Sequence, residues 1–394
     1  MHNNNKLIAF LAFAMYFLTG AACIVVGSSL PHLVKMYDMQ LDQVVLLGSA
    51  YSLGRVLTVY STGRLVEKIG PSKVLASGVV LIAAFLLGIP TIVNYYAGLF
   101  FAFLGGVGMG AQDTVCPVFL STVFKKNYAG SLSAGQALFG LGSFATPFLV
   151  GIMLSGRLPF YFSYYILLIV PVIMLIGIPF VKTDMRQHKE SKKESVRPLY
   201  MKNKILAYAA IVIICAAYSA VVNTLGLYIT SFAESIGNSE ATAAFMLTVY
   251  NVGSVVGSFI FLFILEKMKA QAVLVMNNIG ALVVLTIALI VNSVSIYFIG
   301  VFFAGFFLGV LFSVVVAVAT RIGYERISVA SSLVATAGGL SDVLTPIITG
   351  FLVGRLGVGI SFKYAILMIV ISIVAAVVLQ INTTETKISD RVSG

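Results

Sequence analysis

Three charged residues stand where charge is costly. The chain carries 25 Lys and Arg and 14 Asp and Glu. Of these, only Arg55, Asp113 and Asp342 fall well inside long apolar runs. A charge at the middle of a bilayer costs roughly 2.5–3.5 kcal/mol on insertion scales, so each is a candidate for function. One base and two acids leave one carboxylate without a counter-charge. A spare buried acid can take up and release a proton. No imidazole is placed to help, because His2, His32 and His188 lie at or beyond the ends of apolar runs. Depth supports the grouping. Arg55 is eight residues from Gly63, about 12 Å along a helix, and Asp113 is twelve from Lys125, about 18 Å. The competing reading is a static ion pair that only fixes packing.

Polar and aromatic residues at similar depth could complete a binding site. They are Tyr16, Tyr51, Gln112, Gln136, Tyr218, Asn223, Tyr250 and Asn251. Each is also explicable as a satisfied packing residue, most clearly Tyr51 and Tyr250, which are related by an internal repeat. Trp is absent, which counts against a broad aromatic sugar platform, although Tyr and Phe can substitute. Cys23, Cys116 and Cys215 fall inside apolar runs and read as small core residues. The sequence calls for no disulfide, no metal and no cofactor.

The elements that must position these residues are membrane helices. The chain is 59% apolar and 10% charged over 394 residues. Soluble domains carry about 25% charged residues. The expected spans are 7–30, 43–66, 73–93, 97–122, 130–154, 160–181, 205–231, 241–265, 271–292, 296–319, 328–354 and 360–381. The runs are continuously apolar rather than alternating, which excludes a β-barrel. Segment 7–30 is too long and lacks a small-residue cleavage site, so it reads as the first helix rather than a signal peptide.

The net charge of +11 does not point to nucleic acid. With the N-terminus placed in the cytoplasm, twenty of the 25 Lys and Arg fall on the cytoplasmic side, and Lys35, Arg157, Arg355 and Lys363 face outward. This is the positive-inside pattern, and it puts both termini in the cytoplasm. The expected location is a cell membrane crossed many times, of the bacterial plasma-membrane kind. The surroundings are lipid, and a monomer is expected.

A shift of 199 residues lays the second half on the first. Gly54 meets Gly253, and Glu67-Lys68 meets Glu266-Lys267. Gly106 and Gly110 meet Gly305 and Gly309; Gly140, Pro147 and Gly151 meet Gly339, Pro346 and Gly350. Backbone-special residues coincide without a gap, the mark of a duplicated membrane domain. The expected organisation is a six-helix bundle over 1–181, a linker over 182–204 and a second bundle over 205–394. The linker is dense in charge and reads as a solvated cytoplasmic connector. At the same shift Arg55 faces Ser254, Asp113 faces Phe312 and Asp342 faces Ser143. Every deep charge breaks the symmetry that the Gly and Pro positions keep.

Between the second and third spans stands Gly63-Arg64-Leu65-Val66-Glu67-Lys68-Ile69-Gly70-Pro71-Ser72-Lys73. It resembles the cytoplasmic loop signature of the major facilitator superfamily, with Glu67 in place of Asp and Lys68 in place of Arg. A carboxylate beside basic residues at a helix end can latch one conformation. Gly63, Arg64, Glu67, Lys68, Gly70 and Lys73 are the candidate latch. The resemblance covers essentially the whole chain. It implies an all-α membrane fold of twelve helices, as two six-helix bundles related by a pseudo-twofold axis, with alternating access to a central site lined by the fourth helix, which makes Asp113 the expected proton carrier.

A narrower resemblance is to the fucose-permease-like sugar transporters. It rests on Gly106-Val-Gly-Met-Gly110-Ala-Gln-Asp113-Thr114 and on Gly135-Gln136-Ala-Leu-Phe139-Gly140-Leu-Gly142-Ser-Phe-Ala-Thr-Pro147. The chain departs from that pattern in having no carboxylate in the first span and no Asn shortly after Asp113. The resemblance implies proton-coupled uptake of a small polar organic solute, nominally a sugar. The alternative is a proton-coupled drug or metabolite efflux antiporter. A sensor would need a soluble output domain, and a flippase an amphiphilic lateral groove. The sequence offers no nucleophile–base pair for an enzyme and no Walker-type loop for ATP.

Overall fold

The computed structural model describes residues 2–124, 128–181, 199–265, 267–291, 293–322 and 327–385. The first half contains α1 (His2–Ser28), α2 (Leu30–Tyr37), α3 (Leu41–Val44), α4 (Leu46–Ile69), α5 (Pro71–Thr91), α6 (Tyr95–Val123), α7 (Tyr128–Ser155), α8 (Tyr161–Leu167) and α9 (Ile169–Gly177). The second contains α10 (Lys204–Ser235), α11 (Glu240–Leu265), α12 (Ala270–Val291), α13 (Val294–Leu308), α14 (Leu311–Ile322), α15 (Ile327–Leu356) and α16 (Ile360–Asn382). Eleven described helices are long and apolar enough to cross a membrane, and Leu41–Thr58 with Ser61–Ile69, bent by 53°, make a twelfth. The expected twelve-span, all-α fold is therefore found.

Local chemistry sets the helix ends. Gly70 takes φ +90° and hands directly to Pro71 at the start of α5, where the missing N–H of proline costs nothing. The Asn94 side chain accepts from the Ala97 amide at 3.0 Å and caps α6. Gly357, at φ +79°, ends α15. One small addition was not foreseen. Leu199–Met201, at the end of the expected linker, pairs antiparallel with Thr383–Glu385, and Leu199 is buried. The rest of that linker, 182–198, lies outside the described residues, as do Lys125 and Glu266.

Contacts divide the chain into two compact units. The first comprises Met1–Ser191, Asn223–Asn251 and Asp342–Ser361; the second comprises Lys192–Val222, Val252–Ser341 and Phe362–Gly394. In the first unit α4 and α5 pack on α6, and α1 packs on α7. Glycines allow the closest approaches. A Cβ on Gly54 would fall on the Phe103 carbonyl, and one on Gly106 on the Tyr51 carbonyl. In the second unit a Cβ on Gly253 would fall on the Phe302 carbonyl. Gly253 and Phe302 are Gly54 and Phe103 moved by 199, so one backbone contact is built twice.

Candidate functional site

The Gly106 contact explains where the charge cluster comes from. It lets α6 lie against the α4 backbone at Tyr51 and Arg55. Further along, Thr62 Oγ1 of α4 donates to the Gly110 carbonyl of α6 at 3.2 Å. Arg55 and Asp113 therefore project from two helices held in register. Arg55 Nε donates to Asp113 Oδ2 at 2.8 Å, and Nη2 reaches Oδ1 at 3.5 Å. The middle of α15 completes the group. Ser49 Oγ donates to the Val343 carbonyl at 2.9 Å, tying α4 to α15 beside Asp342. Arg55 Nη1 then lies 3.9 Å from Asp342 Oδ2. From α10, Asn223 Nδ2 donates to Asp342 Oδ1 at 3.0 Å.

One guanidinium thus serves two carboxylates unequally. Asp113 holds it through a paired contact, the strong form of an Arg–carboxylate bond. Asp342 meets it at the edge of ion-pair range and is steadied by an amide instead. The side chains are 36% exposed for Arg55 and 22% for each acid. All three sit in the middle of apolar helices and are not fully covered by the protein.

The other residues expected at the site divide. Asn223 joins the cluster. Tyr51 is buried against Phe85, with ring centroids 5.5 Å apart, and its hydroxyl has no partner among the described residues. Gln112 is buried, and its Oε1 accepts from Thr19 Oγ1 at 3.0 Å, bonding α6 to α1. Tyr16 is buried where a Cβ on Gly135 would meet its ring. Asn251 turns its amide back to the Leu247 carbonyl at 3.0 Å, and Tyr250 is buried. Gln136 is exposed. Tyr218, in the second unit, stacks on Phe312 at 6.2 Å.

One expectation is corrected. Cys23 is exposed rather than a core residue, whereas Cys116 and Cys215 are buried as expected. Apolar character on every side of α1 gave no sign of which face was covered.

The candidate latch residues follow the end of α4. Arg64, Glu67, Lys68 and Lys73 are exposed, and Gly63 faces open space. Glu67 forms no ion pair among the described residues. Between α2 and α11, Lys35 Nζ donates to Glu240 Oε1 at 2.7 Å and His32 Nε2 lies 3.8 Å from Glu240 Oε2. Sequence reasoning passed over this group, because Lys35 and Glu240 read as ordinary loop charges.

The sequence pattern described as Major Facilitator Superfamily matches residues 12–235 and again 209–392. The chain belongs to the major facilitator superfamily. It is a multi-pass membrane transporter of small molecules and not an enzyme. The transporter is 24% identical over 368 residues to YfkL, an uncharacterized MFS-type transporter of Bacillus subtilis, covering 92% of each chain. It is 23% identical over 376 residues to a candidate glucose/galactose transporter of Helicobacter pylori, covering 84% of this chain and 88% of that one. Among solved structures, it matches a D-xylose–proton symporter with TM-score 0.78 at 13% identity, covering 97% and 98% of the two chains. It matches FucP, a Major Facilitator Superfamily transporter in the outward conformation, with TM-score 0.61 at 15% identity, covering 95% and 98%.

Proposed function

We propose that the transporter couples proton movement to uptake of a small polar organic solute, nominally a sugar, by alternating access. The observation that carries this reading is the unequal sharing of Arg55. One guanidinium against two carboxylates leaves these three side chains one net negative charge, and Asp342 holds the longer contact to Arg55. A proton on Asp342 neutralises the group, and a neutral group crosses the low-dielectric middle of a membrane protein at lower cost. The sequence alone favoured Asp113 as the proton carrier, since the fourth span was expected to line the cavity. The 2.8 Å clamp on Asp113 against 3.9 Å to Asp342 moves our assignment to Asp342. Asn223, bonded to Asp342, is a polar group of the cluster that a solute could engage.

Support for a sugar comes from the Helicobacter pylori relative's description and from the fucose-permease-like segments around Asp113 and Gly140. The residual negative charge equally suits an organic cation exchanged for a proton, which keeps efflux as the second reading. We also propose that both termini and 182–204 are cytoplasmic, from the distribution of Lys and Arg. On that basis the Lys35–Glu240 end is external and the Glu67 end internal.

Reconstitution into proteoliposomes tests the reading. Candidate neutral sugars should accumulate when the external side is acidified and should equilibrate only when the pH difference is collapsed. Accumulation that ignores the pH difference would remove proton coupling. Expulsion of organic cations on that same gradient, protons entering as cations leave, would select efflux. A cysteine introduced at position 190 into a cysteine-free background should resist an impermeant external thiol reagent; labelling there would reverse the orientation.

A further inference from the structure

An opening lies in the first unit, beside Lys35 and away from the charge cluster. It is a cavity of about 720 Å³, in the size range of small-molecule sites. Elements distant in sequence surround it. Helix α2 and the start of α3 bring Val34, Lys35, Leu41 and Asp42; α10 brings Ser231, Glu234 and Ser235; the end of α15 brings Val353, Gly354 and Val358. Ser231, Glu234 and Ser235 are spaced i, i+3, i+4 and so share one helix face. The glycine at 354 makes room, because a Cβ there would press on the Asp42 carboxylate.

Three polar groups of this cavity are unspent: Asp42, Glu234 and Ser231. Neither Asp42 nor Glu234 has an ion pair among the described residues. Lys35 also lines the cavity, but it is engaged by Glu240 at 2.7 Å. Ser231 is only 9% exposed, and its hydroxyl has no hydrogen-bond partner among the described residues. A buried hydroxyl left unpaired is uncommon in native proteins and calls for a water or a ligand. The walls between these groups are aliphatic.

The structure assigns this cavity as a binding site for a small organic ammonium ion, its charge set between Asp42 and Glu234, its body on the Val34, Leu41 and Val353 wall, and Ser231 serving a polar substituent or bound water. An anion would meet two carboxylates there. A neutral apolar molecule would leave both carboxylates and the hydroxyl desolvated without compensation. The cavity is walled by segments from both sequence repeats, so an occupant would hold this end of the first unit together. The assignment does not rest on proton coupling or on a sugar substrate.

The test uses the purified full-length transporter and benzyltrimethylammonium as probe, with benzyl alcohol and benzenesulfonate as neutral and anionic controls. Binding is read from the shift in melting temperature across a titration and from direct retention of radiolabelled probe. The cation should raise the melting temperature with concentration and be retained saturably, and the controls should do neither. Glu234→Gln and Asp42→Asn should each weaken probe binding by about tenfold or more, as loss of a close charge partner does at an interface. Ser231→Ala should change it less. Asp342→Asn, at the other site, should leave probe binding as in the parent. Equal binding by parent, Glu234→Gln and Asp42→Asn would overturn the assignment, as would loss of binding in Asp342→Asn, which would put the probe on the Arg55 cluster. If Asp42→Asn fails to fold, Glu234→Gln decides by retention at a temperature where it and the parent are both folded. No saturable binding to the parent would also reject it.

Discussion

The Gly54–Phe103 contact and the Arg55 cluster occupy the same stretch of α4, yet they follow opposite rules. The glycine contact is built twice, once in each unit, at positions 199 residues apart. The charge cluster is built once, and Ser254, Phe312 and Ser143 stand at its repeat-related positions. Duplication preserves what every bundle needs, a close helix crossing. It does not preserve what a transport cycle needs in one copy. A residue that is costly in lipid and present in one repeat only is therefore a stronger functional signal than a residue present in both.

That contrast breaks most sharply at Arg55. Arg55→Gln should strand Asp113 and Asp342 together. Removing one partner of a buried pair costs about 3–5 kcal/mol, and partial exposure here places the effect toward the lower end. Arg55→Gln combined with Asp113→Asn should recover much of the loss, because Asp113 holds the closer contact. Pairing Arg55→Gln with Asp342→Asn should recover less. Thermal unfolding of the four variants measures this, and equal rescue by both acids would mean that Arg55 is shared evenly.

The duplicated contact should fail symmetrically. Gly54→Val and Gly253→Val each drive a side chain into a backbone carbonyl, and overpacking costs typically about 1–3 kcal/mol. Both should lower yield and melting temperature by similar amounts. Gly63→Ala, at a site with nothing within 4 Å, should not. A Gly253 variant that behaves like the parent would show that the second copy is not structurally equivalent to the first.

Proton coupling sharpens the comparison without unfolding anything. Asp342→Asn should abolish accumulation driven by a pH difference while downhill exchange continues, since a permanently neutral residue needs no proton to cross. Asp113→Asn should impair both, because it releases Arg55. If Asp342→Asn still concentrates solute on a pH gradient and Asp113→Asn does not, the carrier is Asp113.

Smaller effects belong to the Lys35 end. Burial holds His32 below the usual imidazole range, with Glu240 pulling it up and Lys35 pushing it down. The unfolded chain therefore takes up that proton first, and stability should fall as pH drops through about 6.5. His32→Gln should flatten this slope in melting temperature. Lys35→Met should cost no more than about 0.2–1 kcal/mol, the usual worth of an exposed pair, as Lys35 is 66% exposed.

Much of the fold was legible because its markers are backbone residues. Gly70-Pro71 announces a turn, Pro147 and Pro346 fix the repeat, and apolar length fixes the spans. The grouping of Arg55, Asp113 and Asp342 was legible from cost alone. Facing was not. Helices apolar all round carry little amphipathic pattern, so nothing distinguished exposed Cys23 from buried Cys116, or showed that Gln112 would be taken by Thr19. Distances within the cluster were equally hidden, because they depend on how closely α6 approaches α4 at Gly106. The cavity beside Glu234 was out of reach for the same reason: three distant segments build it, and no one of them carries a motif.

The smallest effect on stability, and the most telling on mechanism, is expected at Glu67. The residue is exposed and forms no ion pair among the described residues, so Glu67→Gln should change stability by no more than about 0.5 kcal/mol. A latch acts differently from a brace. If Glu67 bonds a neighbouring helix end in the conformation not seen here, its loss removes stabilisation from that conformation alone. The population then shifts toward the arrangement in which Lys35 and Glu240 are joined. Lys35→Met should shift it the opposite way. Distances between spin labels placed at the two ends of the helices would report both shifts in one preparation. Opposite displacements would establish paired latches at the two ends; an unmoved distribution in Glu67→Gln would reduce the Gly63–Lys73 loop to a topology signal.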